Sequence, residues 1–384
     1  LIPFQLHRRI PFVRRPFYQR DEAIAQRDAL QTELHQLRAE RDALSACLAR
    51  KAAAPQIAPA PSVPQKMQVA VAREGSQIIL DPELFGDFPF MVGDRLTITP
   101  PDAASALHRT PDGHLHIAVG QQRYRVPAEV VLTPHAGYLF PEHLVVLTGA
   151  GTHTLEAFGK AHIANYAKFM GLAPGMTFLE IGCGIGRDAL QLIDILGPTG
   201  RYIGTDVTWD SIAWCRKNIG ARHPNFAFHH FDAQHELYNP LGRETSLDFA
   251  LPAAAGSVDR ISAGSVFTHL FEDEIVHYMR EIARVLKPGG LAYATFFLHS
   301  TETIAAARRT NVTHNNLMFE HAYADGCFVN DAGYPTGAVA FTDAAMQRMM
   351  ERAGVRLACP YLKGAWSGLH AEPDDGQEVA ILAV

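Results

Sequence analysis

No two of the five cysteines (Cys47, Cys183, Cys215, Cys327, Cys359) stand in a CxxC pair. Their odd number and wide scatter exclude a disulfide framework and fit free thiols in a reducing, cytoplasmic compartment. No apolar run reaches roughly eighteen residues, so no membrane-spanning helix is expected, and no secretory segment is visible. Positive charge is in short supply: 34 Lys and Arg against 40 Asp and Glu give a net charge of −6. That balance argues against a general nucleic-acid binder. No glycine-rich turn is followed by Gly-Lys-Ser/Thr, which excludes a Walker phosphate loop. The chain opens on Leu1 rather than Met, so a natural start further upstream is expected. What is present, 384 residues with 47% hydrophobic content, suits two domains and a tail.

Residues 1–20 carry Arg8, Arg9, Arg14, Arg15 and Arg20 interleaved with Phe4, Phe12, Phe17 and Tyr18. Two readings fit this tail equally. One is peripheral contact with an anionic membrane surface, arginines on headgroups and aromatics at the interface. The other is an unstructured or partner-packed tail, because Pro3, Pro11 and Pro16 oppose a continuous helix. Over 21–51, Leu30, Leu37 and Leu44 recur every seven residues, with Leu34 and Leu48 four after the first and last. The spacing predicts a coiled coil with Arg27 and Arg41 interrupting its seam, hence a homo-oligomer of undecided order. Residues 52–65 form a Pro/Ala linker that cannot continue the helix. Short strands between turn signals follow over 66–147: QIIL (77–80), RLTIT (95–99), HLHIAV (114–119) and RYRVP (123–127). They predict a small β-rich domain without chemical residues of its own.

From residue 148 the pattern alternates strand and helix, and the strands are nearly unbroken apolar runs. A parallel sheet covered on both faces requires this. Strands are predicted at 177–181, 201–205, 226–231, 258–263 and 291–297, with a closing pair at 355–362 and 377–383. Helices are predicted at 187–196, 209–219 and 272–286. Ligands of such sheets bind at the carboxyl ends of the strands. There stand Gly182, Gly184 and Gly186 in FLEIGCGIGRDAL, Asp206 in RYIGTDVT and Asp232 in FHHFDAQ. A nicotinamide fingerprint would place its third glycine at 187, which is Arg187. The spacing found is GxGxG with Glu180 ahead of it. A carboxylate there serves a pyrophosphate poorly but tolerates an ammonium and a sulfonium, so S-adenosylmethionine is the better cofactor.

With ExGxGxG, the acid ending the second strand, the acid after the third, and RVLKPGG (284–290), the chain from 150 onward resembles the class I S-adenosylmethionine-dependent methyltransferases. The resemblance implies an α/β, Rossmann-like seven-stranded mixed sheet, ending in a reversed hairpin at Val384 with the domain complete there. It implies that Gly182, Gly184 and Gly186 line the methionine part of the cofactor. Glu180 would lie near its ammonium, Asp206 on the ribose and Asp232 beside the adenine, with Val207 and Thr208 flanking the ring. Gly159 and Tyr166 would lie on a covering helix. YNPLG (238–242), SVFTHL (265–270), TFFL (295–298) and GAWSGLH (364–370) further resemble bacterial methyltransferases associated with surface-glycan synthesis.

A hydroxyl acceptor needs a proton sink, and His269, just after the fourth strand, titrates in a suitable range. A capping role for the same histidine is the competing reading. His299 and His370 are further substrate candidates, and Trp366 is a candidate platform for a sugar ring. His229, His230, Asp232 and His235 crowd together, but neighbours on a strand face opposite ways, so no metal is expected. Residues 301–340, with a helix at 303–309 and NDAGYPTG at 330–337, predict an acceptor lid. The expected activity is O-methylation of a sugar hydroxyl in a glycan or glycolipid precursor. A small-metabolite or lipid acceptor, and a non-catalytic coiled-coil scaffold, are the alternatives.

Overall fold

The structure is a computed structural model. It describes short strands between residues 65 and 127, and residues 129–384 apart from 150, 237, 240–241 and 311–316. The basic tail, the coiled coil and residues 52–64 of the linker lie outside the described residues. Strands occur at Gln77–Leu80, Leu96–Ile98, His114–Val119 and Gln122–Pro127, close to the expected segments. Gln65–Gln68 pairs with Glu129–His135, which turns through Ala136 and Gly137 into Tyr138–Pro141. Both turn residues have positive φ, 49° and 81°, the backbone that a two-residue hairpin with matching twist requires.

The main sheet is built from β1 (Thr177–Ile181), β2 (Arg201–Asp206), β3 (Phe226–His230), β4 (Val258–Ala263) and β5 (Leu286–Leu298). After β6 (His321–Ala324), β7 (Cys327–Val329) and β8 (Val339–Phe341) come β9 (Arg356–Leu357) and β10 (Glu378–Ala383). The parallel order is 3-2-1-4-5, and antiparallel β10 joins β5 and carries β9. The mixed Rossmann-like sheet matches the expected class, but it has ten strands rather than seven, because β6, β7 and β8 extend it beyond β5.

Side-chain alternation sorts each strand between two cores. Phe178, Tyr202, Tyr293 and Ile381 pack against α1 (Leu155–Met170), α2 (Arg187–Leu196) and α3 (Trp209–Cys215). Leu179, Ile203, Ala292 and Leu382 pack against α4 (Glu272–Val285) and, beyond α5 (Thr301–Thr310), α6 (Asp343–Ala353). The strand order reverses between β1 and β4, and there the loops part.

Several boundaries differ from expectation. The helix predicted over 209–219 is α-helical only to Cys215, and a wider π-type turn, Arg216–Gly220, follows. The strand predicted over 355–362 is cut to Arg356–Leu357, with an isolated pairing of Leu362 to Val379. Pro360 between them has no N–H to give the ladder. The 301–340 segment is more than a helix and loop. Its β6–β7–β8 meander docks β8 beside the end of β5, pairing Phe297 with Ala340. The boundary expected at 147/148 falls inside one packed unit: Tyr138, Phe140, Leu144 and Val145 are buried in the same core as Trp214. The Phe140 and Trp214 rings lie 4.3 Å apart, and the Trp214 indole N–H donates to the Leu139 carbonyl at 3.1 Å.

Truncation of such a ring leaves a cavity as well as lost contacts. Phe140→Ala is expected to cost about 3 to 5 kcal/mol of stability, measured by urea denaturation. A cost near zero would show that the hairpin is not part of this core.

Candidate active site

The loop leaving β1 can bend because Gly182, Gly184 and Gly186 all adopt positive φ, at 75°, 50° and 77°. At Gly182 there is also no room: a Cβ would stand 2.4 Å from Val266 Cγ2. The Asp206 carboxylate fastens this loop to the next. Its Oδ2 accepts from the Gly184 amide and its Oδ1 from the Thr208 amide, each at 2.7 Å.

Above these loops opens a cavity of about 1070 Å³. Tyr166, Glu180, Gly182, Gly184, Asp206, Val207, Thr208 and His269 all line it. Six other expected site residues do not. Gly159 is a crossing point of α1 and α2, where a Cβ would lie 3.1 Å from Gln191 Cγ. At Gly186 a Cβ would meet Ile219 Cδ1 at 2.7 Å, so this glycine serves packing beneath the loop. Asp232 is drawn away by Arg243 Nε at 2.7 Å and Asn239 Nδ2 at 3.3 Å, and its neighbours Phe231 and Ala233 line the wall instead. His299 stacks on Phe328 at 3.7 Å. Trp366 is buried, edge-on to Phe297 and Phe319, so it offers no face to a sugar. His370 lies past the Gly364–Leu369 turn and is not on the wall.

The wall is acidic. Glu180, Asp188, Asp206, Glu274, Asp374 and Asp375 line it, and Arg187 is the only Lys or Arg among the described lining residues. Burial pushes the Glu180 carboxyl well up, the nearby Asp188 charge adds to this, and the Tyr202 hydroxyl donating to it opposes. Burial also raises Asp206 against the pull of the Thr208 and Gly184 amides. Asp188 goes the other way. Burial alone would raise it, but His162 and Arg187 beside it bring the net shift below the usual carboxylate range.

At the other end stands His269, on a short turn after β4. Its Nδ1 lies 2.9 Å from the Thr336 carbonyl oxygen, an atom that can only accept. The proton is therefore on Nδ1, and Nε2 carries the lone pair. Burial lowers the ring's pKa, so the neutral form prevails at pH 7. The rings of His235 and Tyr238 stand edge-on to it at 6.3 Å and 5.8 Å. The sequence reading gave no role to Tyr238, Tyr334, Asn330, His162, Arg187 or Asp188, all of which line the cavity. Tyr238 lay in YNPLG, and Asn330 and Tyr334 lay in NDAGYPTG, so the segments were visible although the individual roles were not. His230 bonds the Val207 carbonyl and Asp232 bonds Arg243, so two of the four clustered residues are engaged elsewhere.

Residues 178–290 match the family described as a methyltransferase domain. Over that stretch the chain is similar to a methyltransferase domain, which implies S-adenosylmethionine as the cofactor. Among its relatives is an arsenite methyltransferase of Aquipseudomonas alcaligenes, 25% identical over 46% of this chain and 50% of the relative. A second arsenite methyltransferase, from Halobacterium salinarum, is 31% identical over 33% of this chain and 28% of that protein. The 2-phytyl-1,4-naphtoquinone methyltransferase of Synechocystis is 28% identical over 36% of this chain and 52% of its own length. The chain thus spans about half, or less, of the curated relatives it matches. A crystal structure of a SAM dependent methyltransferase from Aquifex aeolicus aligns with a TM-score of 0.38 at 15% identity, over 64% of this chain and 98% of that one.

The cavity fits S-adenosylmethionine by donor chemistry. An acidic wall disfavours a pyrophosphate and suits a ligand that carries an ammonium and a sulfonium. Each Asp206 oxygen, having accepted one amide, keeps a second acceptor position for a ribose hydroxyl.

Glu378 lies on β10, away from the wall. Its Oε2 accepts from the Trp366 indole at 2.6 Å and the Leu298 amide at 3.1 Å, while Oε1 has no hydrogen-bond partner among the described residues. Burial pushes its carboxyl up to about 7, opposed by those two donors. The folded value is above the unfolded one, so its stabilisation is complete below the unfolded pKa and is lost as pH rises through about 7. Calorimetry should show the melting temperature falling between about pH 5 and pH 8 less in Glu378→Gln than in the parent. An equal fall in both would refute the assignment.

Proposed function

We propose that this chain is an O-methyltransferase in which His269 takes the proton of an acceptor hydroxyl. The observation that carries the reading is the Thr336 carbonyl on Nδ1 of His269, a residue of the cavity wall, which puts the proton on Nδ1 and the lone pair on Nε2. When bound, S-adenosylmethionine supplies a methyl group on a good leaving group. The chain's task is then alignment, exclusion of water and removal of one proton. Asp206 and the glycine loop hold the cofactor end, and Glu180 accepts from Tyr202 beneath it. His269 holds the acceptor end, wedged between His235 and Tyr238 and tied to the 330–337 segment. That segment is the proposed acceptor lid.

For the acceptor we propose a sugar hydroxyl of a glycan or glycolipid precursor. The resemblance of SVFTHL and YNPLG supports it, as do the amides and hydroxyls of Gln234, Asn330, Gln377 and Tyr334 on the wall. Trp366, His299 and His370 lend it nothing from where they lie. A small-metabolite acceptor is the second reading, favoured by the relatives named for arsenite and for a naphthoquinone. Arsenite itself suits this chain poorly, because a thiophilic ion calls for converging thiolates. Of the described cysteines only Cys183 lines the cavity, and burial pushes its thiol well above the ordinary value. Self-association through residues 21–51, surface contact through residues 1–20 and a cytoplasmic site of action are proposals from the sequence pattern.

The test is methyl transfer from radiolabelled cofactor to a panel of lipid-linked saccharides, free sugars and quinols. His269→Ala is expected to lower turnover about 100-fold or more, with cofactor affinity by calorimetry unchanged. Full turnover in that variant would remove His269 as the base. Labelling of quinols alone would remove the glycan reading.

A further inference from the structure

S-adenosylmethionine carries one negative charge, its carboxylate, into a cavity whose wall is otherwise acidic. The described wall offers one fixed positive charge, Arg187, in the first turn of α2 directly after the glycine loop. That guanidinium is largely buried, with its side chain 17% exposed, and it is not free to swing. Its Nε donates to Asp188 Oδ1 at 3.2 Å, and Nη1 reaches the Thr148 carbonyl at 3.4 Å. On the facing helix α1, His162 Nδ1 lies 2.8 Å from Asp188 Oδ2, which also accepts from the Tyr166 hydroxyl at 3.1 Å. A carboxylate on Nδ1 requires the proton there, and Arg187 Nη2 lies 3.4 Å from the same nitrogen. One buried carboxylate, Asp188, thus orients two basic side chains from different helices at one end of the cavity.

We propose that Arg187, held in place by Asp188 with His162 beside it, forms the subsite that recognises the carboxylate of S-adenosylmethionine. This rests on the cofactor assignment and adds to it the residues that read the amino-acid end. Asp188 is a positioning residue, because its oxygens are used by Arg187, His162 and Tyr166. Guanidinium suits the task by presenting planar donors at fixed angles to a carboxylate, so lysine should replace it incompletely.

The test compares two ligands by calorimetry on the full chain. S-adenosylhomocysteine has the carboxylate, and its decarboxylated analogue keeps the amine and lacks only that group. The wild-type protein is expected to prefer the first by about tenfold or more. Arg187→Gln should erase most of that preference while binding the decarboxylated analogue as the wild type does, and Arg187→Lys should restore part of it. Asp188→Asn should diminish the preference without abolishing binding of the analogue. Equal weakening of both ligands in Arg187→Gln, or no preference in the wild type, would overturn the proposal. Binding of neither ligand by the wild type would overturn the cofactor assignment and this subsite with it.

Discussion

The Asp206 carboxylate accepts one backbone amide from the loop after β1 and another from the start of α3, at 2.7 Å each. Two loops that could otherwise move independently are thereby fixed around one charged group at the carboxyl edge of the sheet. The rest of the site depends on that clamp. The left-handed glycines let the first loop curl back toward it, and the close approach of Val266 at Gly182 brings in the loop after β4. Because β1 lies between β2 and β4, the three loops converge where the strand order reverses.

Electrostatics divides the cavity that results. Buried carboxyls at Glu180 and Asp206 are pushed upward, whereas Asp188 is held ionised by His162 and Arg187. The cofactor end is therefore a graded field with one fixed positive charge. The other end is built on a neutral imidazole whose tautomer is set by the Thr336 backbone carbonyl. The 330–337 segment therefore sets which ring nitrogen of His269 keeps its lone pair. The β6–β7–β8 meander carries that segment and is anchored to β5, so the segment grows from the sheet itself.

Much of this was legible in the order of residues. Glycines at alternate positions need positive φ and imply a tight loop; apolar runs of five or six imply strands covered on both faces; Asp206 ends such a run. Asp232 satisfied the same pattern and yet bonds Arg243, because the pattern marks a strand end and cannot show which neighbour claims the carboxylate. Trp366, His299 and His370 were read as substrate residues from chemistry alone. Their packing, against Phe297 and Phe319 for Trp366 and against Phe328 for His299, is a matter of contacts between segments far apart in the chain. Asp188 and His162 were missed for the same reason, since 26 residues separate them and only the crossing of α1 over α2 joins them.

Sequence by itself determined the alternating α/β class, the glycine loop and the acid ending β2. Each of these follows from local periodicity or from a residue's own backbone freedom. Tertiary structure decided which side chains face the cavity, that residues 138–145 pack into the core around α1, α2 and α3, and that the Thr336 carbonyl sets the tautomer of His269. Those outcomes depend on long-range contacts, where a side chain's role is set by the partner the fold brings to it.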